Sequence, residues 1–145
     1  MKTILKSLVI LVAGASFALS AEAEWMTDFE AAKAKAKAEK KTLLLNFTGS
    51  DWCGWCIKLH KEVFSKQEFI DYAAANLVLV TVDFPKTKKL EPELKKQNDE
   101  LNEKYEIQGY PTIKLLKPTG REIGETGYEE GGPVKYIENL KKLVK

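Results

Sequence analysis

Residues 47–56 read FTGSDWCGWC, and this stretch decides the fold. It follows a short apolar run at residues 42–47, which is typical of a strand buried on both faces of a sheet. Residues 48–51 supply turn chemistry, and from Cys53 onward apolar residues recur at helical spacing. The stretch therefore predicts a strand, a turn and a helix, with both cysteines at the start of the helix.

A first helix is predicted before this strand. Thr27 and Glu30 have the spacing of a capping box, and the Ala- and Lys-rich run that follows has high helix propensity as far as Lys41. We therefore expect this helix to start near Asp28.

The helix that carries the cysteines leads into a second strand. Its apolar residues continue to Phe64, and a second capping box at residues 65–68 restarts it toward Ala75, so a long and bent helix is expected. Residues 77–82 consist of leucine, valine and threonine, which favours a second buried strand. Two strands joined through a helix predict a parallel β-α-β unit with a right-handed crossover.

The C-terminal half continues with a helix, a hairpin and a helix. Residues 85–97 are charged and contain two prolines, which indicates an exposed connection that enters a helix near Pro92. Two strands flank a turn at residues 118–120 and predict a hairpin. These strands cover residues 112–117 and 121–126. Pro133 then opens a final amphipathic helix that reaches Leu143.

Two motifs, together with this order of elements, carry a resemblance to a known family. Through FTGSDWCGWC at residues 47–56 and GYPT at residues 109–112, the chain resembles the thioredoxin superfamily, and more closely its exported bacterial members. The resemblance covers residues 24–145, which we expect to form one domain. It implies an α/β fold of the thioredoxin-like, three-layer type, with a central mixed sheet of about four strands and flanking helices.

The N-terminal residues have the pattern of a secretory signal peptide. Two lysines precede an apolar run at residues 8–19, after which small residues appear. This run is shorter than the ~20 residues of a spanning helix, so we expect removal of residues 1–23 and no stable membrane anchor. Cleavage after Ser20 or after Ala23 fits the small-residue rule. The mature protein is expected to be periplasmic or secreted.

Composition excludes one class of partner. The chain of 145 residues carries 23 basic and 21 acidic residues, a formal charge of +2, and these charges are mixed along the sequence. No basic face therefore indicates binding to nucleic acid. With 44% hydrophobic residues the sequence predicts one globular core, and a monomer is the expected form.

Cys53 and Cys56 are the two cysteines of the chain, and they are three residues apart. A disulfide that closes so small a ring stabilises the fold little, because the entropic effect of a cross-link grows with loop length. A redox role explains the spacing better. The amide groups and the dipole at a helix start lower the pKa of Cys53, which makes it the attacking sulfur, and Cys56 then resolves the mixed disulfide. We expect no cofactor and no metal beyond this redox-active disulfide.

Further site residues follow from the resemblance alone. In the family, the residue before the first cysteine, here Trp52, helps to form an apolar surface for a partner polypeptide. Gly54, which allows a tight helix start, and Trp55 lie between the cysteines. The family also places a cis-proline opposite the cysteines, which implies Pro111, with Tyr110 offering its carbonyl to a substrate. Simple packing stays an alternative for both tryptophans, and an ordinary strand-edge proline for Pro111.

Two positions depart from the family pattern. Asn46 stands where many thioredoxins keep a buried acid beneath the cysteines, and Leu79 is expected at the place of its lysine companion. A neutral amide cannot accept the proton of Cys56. Asp51 adds a negative charge two residues before Cys53, which should oppose formation of the thiolate. These opposing effects leave the direction of electron flow open.

The leading hypothesis is an exported thiol-disulfide oxidoreductase, a reductase or isomerase in preference to an oxidase. Its partners would be protein thiols and disulfides and, as electron donor, a membrane thiol-relay protein. The alternative is a metal carrier in which Cys53 and Cys56, with or without His60, hold Cu(I) or Zn(II), since soft thiolates suit these ions. His60 is otherwise an ordinary helix residue. A redox-inert scaffold that binds partners through the same apolar surface is a third class.

Overall fold

The computed structural model describes residues 22–145, which form a five-stranded mixed sheet between two layers of helices. The predicted signal peptide, residues 1–23, lies outside the described residues except for its last two positions. Between residues 22 and 145, no helix is long and apolar enough to cross a bilayer.

The helices and strands follow the predicted order. The N-terminal half contains β1 (Trp25–Met26), α1 (Phe29–Glu39), β2 (Thr42–Thr48), α2 (Gly54–Leu59), a π-helical turn (His60–Phe64), α3 (Gln67–Asn76) and β3 (Leu77–Asp83). The C-terminal half contains α4 (Pro92–Lys104), β4 (Thr112–Leu116), β5 (Glu122–Thr126) and α5 (Gly132–Leu143).

The sheet has the strand order β1-β3-β2-β4-β5. β2 and β3 are parallel, while β4 pairs antiparallel with β2 and β5 antiparallel with β4. The predicted fold class, the parallel β-α-β unit and the hairpin are therefore confirmed. β1 is a fifth strand that the sequence did not predict, because a pairing of only Trp25 and Met26 with β3 is too short to show a strand pattern.

The two faces of the sheet carry separate apolar cores, because successive side chains of a strand point to opposite sides. Leu43, Leu45 and Phe47 belong to the core beneath α1 and α4. Leu44 belongs to the core beneath α2, α3 and α5. Asn46, two residues after Leu44, therefore lies on the same side of the sheet as the cysteine helix.

Two predicted helix starts differ in detail from those observed. Asp28, rather than Thr27, is the N-cap of α1, and its carboxylate accepts the N–H of Ala31 at 2.9 Å. The second capping box was wrong: the Ser65 hydroxyl donates backward to the carbonyl of Lys61 at 3.0 Å. The hydroxyl is thus used to close the preceding π-helical turn, and α3 begins without a side-chain cap.

Candidate redox site

Cys53 and Cys56 form a disulfide at the start of α2. Cys53 is the N-cap residue of this helix, and the backbone N–H of Cys56 donates to the Cys53 sulfur at 3.2 Å. Each cysteine is 6% exposed, so only a small part of either residue reaches solvent. A sulfur at this place accepts an amide hydrogen bond and faces the positive end of the helix dipole. Both effects stabilise a thiolate.

The carboxylate of Asp51 holds the loop that follows β3. It accepts the hydroxyl of Thr87 and the backbone N–H groups of Lys86, at 2.9 Å, and Thr87, at 2.7 Å. These hydrogen bonds, with that of the Thr87 hydroxyl first, hold the pKa of the Asp51 carboxyl well below its usual range. The negative charge of Asp51, which was expected to act on Cys53, is thus hydrogen-bonded to donors in the loop after β3.

A second carboxylate, that of Asp83, joins the end of β3 to Ser50 in the segment after β2. Asp83, the last residue of β3, accepts the N–H of Ser50 at 2.9 Å and its hydroxyl at 2.6 Å. Lys88 adds an ion pair of 2.9 Å to the same carboxylate. Asp83 was not among the predicted site residues, although the two predicted parallel strands bring their C-terminal ends to one edge of the sheet. The predicted position of Asp83 at this edge of the sheet is the signal from which it could have been identified.

Trp52 is fixed by the same loop. Its ring nitrogen donates to the carbonyl of Phe84 at 2.8 Å, and Lys86 Nζ lies 3.9 Å from the centre of its ring. A Cβ atom added to Gly49 would lie 2.4 Å from Trp52 Cε2, so only glycine fits beneath the indole. Trp52 is nevertheless 39% exposed, and it therefore offers an apolar surface in a fixed position.

Trp55 and Ile57 extend this apolar surface on the other side of the disulfide. Trp55 is 57% exposed and Ile57 is 50% exposed. The Trp55 ring lies 5.1 Å from that of Tyr128, and Lys58 Nζ lies above both rings. Neither Ile57 nor Tyr128 was predicted, since no local pattern links Tyr128 to the cysteine helix. Gly54 is exposed, and a Cβ atom there would meet no other atom within 4 Å.

Tyr110 connects the second predicted motif with the first. Its ring stacks on Phe84 at 5.2 Å and meets the Trp52 ring edge-on at 6.0 Å. Its hydroxyl donates to Asn102 Oδ1 at 3.1 Å, and burial raises its pKa. The peptide bond between Tyr110 and Pro111 is cis. The fold therefore brings Tyr110 and Trp52 into contact, although they are far apart in the sequence.

A cleft of about 410 Å³ opens beside Cys56. Apolar and polar side chains share its wall: Trp25, Asn46, Thr48, Ser50, Ile57, His60 and Thr81. The parallel register places Thr81 opposite Asn46, whereas Leu79 lies opposite Leu44 in the apolar core. Leu79, which was expected at the place of the family's lysine, thus pairs with Leu44 and not with Asn46.

The metal-carrier alternative is not favoured. The sulfurs of Cys53 and Cys56 are bonded to each other. No group of three or more His, Cys, Asp and Glu side chains within residues 22–145 is arranged to hold a metal ion. His60 lies on the wall of the cleft beside Cys56 instead, one helical turn after that cysteine.

Comparisons with known sequences agree with a thiol-disulfide site. A family model described as a thioredoxin-like domain matches residues 29–139. The disulfide bond reductase DsbH of Chlamydia pneumoniae is 33% identical over 126 residues, which are 87% of this chain and 75% of that protein. The thioredoxin-related protein DsbJ of the same organism is 36% identical over 110 residues, which are 74% of this chain but 32% of that protein.

Comparison with solved structures extends the similarity to the whole domain. A DsbH oxidoreductase has a TM-score of 0.82 at 32% sequence identity, and the match covers 86% of this chain and 85% of that one. The similarity is thus not confined to the cysteine motif.

Proposed function

The chain belongs to the thioredoxin-like family and is a thiol-disulfide oxidoreductase, and from this premise we propose that it reduces disulfide bonds in exported proteins. The similarity to a protein named disulfide bond reductase supports this direction of electron flow. One observation carries the proposal: Cys53 caps α2, and the N–H of Cys56 donates to its sulfur at 3.2 Å.

Cys53 performs the first step. In the dithiol state its sulfur, held at the helix start, is a thiolate and attacks one sulfur of the substrate disulfide. The bond between the two substrate sulfurs breaks, and the first substrate thiolate leaves. Cys53 is then joined to the second substrate sulfur in a mixed disulfide.

Cys56 performs the second step. Its thiol loses a proton and attacks Cys53 Sγ, which forms the Cys53–Cys56 disulfide and releases the second substrate thiolate. Two electrons have passed from the protein dithiol to the substrate. The state with the Cys53–Cys56 bond is the product of this reaction.

The substrate lies across the apolar surface beside the disulfide. Trp52 and Trp55 supply its exposed rings, and Gly54 between the cysteines leaves room for a chain to approach. The backbone at Tyr110 and Pro111 lies next to Trp52 through the Tyr110 ring and would pair with the substrate backbone. Large aromatic side chains that are exposed yet fixed are typical of surfaces that bind polypeptides.

The reaction needs a donor and an exported location. The leader pattern of residues 1–23 supports export to the periplasm or beyond the cell. A membrane thiol-relay protein would return two electrons to the Cys53–Cys56 disulfide after each turnover. Such a donor must also reach the surface around Trp52 and Trp55, so donor and substrate would bind in turn.

Two measurements test this function. In an insulin-reduction assay with dithiothreitol, the protein should accelerate precipitation of the insulin B chain, and the Cys53→Ser variant should not. Equilibration of the Cys53–Cys56 pair with glutathione should give a reducing potential, nearer to that of thioredoxin than to that of a strong oxidant. Full activity of Cys53→Ser would refute the site, and a strongly oxidising potential would refute the direction.

A further inference from the structure

Asn46, on the wall of the cleft beside Cys56, carries a buried polar atom without a protein partner. Its Oδ1 is shielded from solvent, and no donor within residues 22–145 reaches it. Buried acceptors are normally paired with protein or with ordered water. The cleft itself is open to solvent, and at about 410 Å³ it is large enough for several water molecules, each of which needs about 30 Å³. It therefore has room for water next to the resolving sulfur.

His60 lies on the wall of this cleft and reaches solvent. Its backbone N–H donates to the carbonyls of Cys56 and Ile57, so the chain is helical from Cys56 to His60. Side chains four residues apart on a helix are neighbours on one face. Both side chains line the same cleft, and His60 is exposed to solvent.

We propose that His60 accepts the proton of Cys56, through water in the cleft, when Cys56 attacks the mixed disulfide. This inference rests on the proposed function, because it concerns the second of its two steps. The Cys56 proton passes to water and a water proton passes to the imidazole, while the Cys56 sulfur bonds to Cys53 and the substrate thiolate leaves. His60 then gives the proton to solvent. Imidazole suits this task because it gains and loses a proton near neutral pH.

The other groups around His60 do not offer this path. Asn46 is a neutral amide, and Asp83 is occupied by Ser50 and Lys88. Glu22 lines a separate pocket on the far side of His60, which does not include Cys56.

On the same helical segment as His60, the neighbouring charges are directed elsewhere. Glu62 accepts the hydroxyl of Tyr128 at 2.7 Å, and Lys61 is an exposed cation that cannot accept a proton while charged. His60 is thus the titratable side chain that shares the cleft with Cys56 among the residues described.

The test separates the two chemical steps. The reduced protein is mixed rapidly with dithionitrobenzoate, which releases one coloured thiolate when Cys53 attacks and a second when Cys56 resolves the mixed disulfide. In the His60→Gln variant we expect an unchanged first phase and a second phase slowed about a hundredfold near neutral pH, the lower end of what general bases contribute. In this variant the second phase should also lose the pH dependence that it has in the wild type between about pH 5 and 8.

Three further variants distinguish proton transfer from a structural role. Lys61→Gln, at the exposed neighbour, should leave both phases unchanged. Imidazole added to His60→Ala should restore much of the second phase. Asn46→Asp in the His60→Gln background should also restore it, because a carboxylate then lies in the cleft.

Each alternative result has a definite meaning. A second phase in His60→Gln that matches the wild type across this pH range overturns the inference. Equal slowing of both phases, or slowing that neither imidazole nor Asn46→Asp relieves, also overturns it, since a structural effect is then sufficient. If the wild type shows no sequential release at all, the proposed function itself fails, and that result is distinct from a defect confined to His60.

Discussion

The two sulfurs of the disulfide lie in unlike surroundings. On the Cys53 side, contacts that are distant in sequence hold the two preceding residues: Asp51 binds the loop at Lys86 and Thr87, and Trp52 binds Phe84. On the Cys56 side, a cleft is lined by His60 and by Asn46, whose buried Oδ1 has no protein donor within residues 22–145. Hydrogen bonds thus hold the chain before Cys53, whereas a cleft adjoins Cys56.

The difference fits the roles that we propose for the two sulfurs. An attacking thiolate depends on fixed donors, because its stabilisation comes from a helix start and an amide N–H at a set distance. A resolving thiol must lose a proton during its attack, so it depends on a route for that proton. Changes on the Cys53 side should therefore alter the first step, and changes on the Cys56 side the second.

The largest contrast is expected between the two cysteine variants. With a peptide that contains one disulfide, Cys56→Ala should accumulate a covalent adduct at Cys53, because attack proceeds and resolution cannot. Cys53→Ser should form none, since its remaining thiol lies in the cleft without the amide donor. Mass spectrometry of the products measures both. Equal adduct formation by the two variants would remove the distinction between attacking and resolving sulfur.

A matched pair of glycine variants tests how tightly the Cys53 side is packed. Gly49→Ala places a methyl group 2.4 Å from Trp52 Cε2 and should lower the free energy of unfolding by about 1–3 kcal/mol, as overpacking commonly does. It should also slow alkylation of Cys53 in the reduced protein. Gly54→Ala meets no atom within 4 Å and should do neither. Urea unfolding measures the stability of both variants, and the alkylation rate measures access to Cys53. Similar stabilities and rates for Gly49→Ala and Gly54→Ala would mean that the Trp52 indole is not packed against Gly49.

Asp51→Asn tests the hydrogen bonds of the same side through pH. Because these bonds hold the pKa of the Asp51 carboxyl below its usual range, the folded state favours the charged form. Its stabilising contribution is therefore present above the ordinary aspartate pKa of about 3.9 and is lost as pH falls further. The variant should lose part of the acid dependence of unfolding, and the amides of residues 86–88 should exchange hydrogen faster at neutral pH.

Asp71→Asn is the control for that experiment, since the exposed Asp71 carboxylate accepts the side-chain amide of Gln67 within α3. It should leave the exchange of residues 86–88 unchanged. Unaltered exchange in Asp51→Asn would show that the carboxylate does not hold this loop.

Local patterns predicted most of the fold. The apolar runs of β2 and β3 gave both central strands, and Pro92 and Pro133 marked the starts of α4 and α5 within a residue. These features depend on neighbours in sequence. The N-cap of α1, the π-helical turn and β1 depend instead on competition between nearby donors or on pairing with a distant strand, so the sequence did not predict them.

The candidate site divides in the same way. The cysteine pair at a helix start follows from a contiguous motif, and the structure places Cys53 at that start. The position of Thr81 opposite Asn46 and the link from Asp83 to Ser50 depend on strand register. A one-dimensional pattern does not carry that register, and this is why the sequence did not show that Thr81 faces Asn46.

The smallest effect on the sulfurs is expected from Tyr105, on the opposite face of the sheet. Its hydroxyl donates to the carbonyl of Gly120 at 2.8 Å, and burial, followed by the charges of Glu122 and Glu30, raises its pKa to about 12. The folded state thus favours the protonated phenol. Its contribution to stability is complete below the ordinary tyrosine pKa of about 10 and is lost as pH rises toward about 12.

Tyr105→Phe should therefore lower the free energy of unfolding by about 1 kcal/mol at neutral pH, through the lost hydrogen bond, and should reduce the loss of stability at alkaline pH. Urea unfolding at several pH values measures both effects. Both phases of dithionitrobenzoate reduction should stay as in the wild type, because Tyr105 packs in the core beneath α1 and α4, away from the cysteine helix. A change in either phase would mean that the sulfurs respond to the packing of the whole sheet, and the contrast between their two local surroundings would then lose its physical basis.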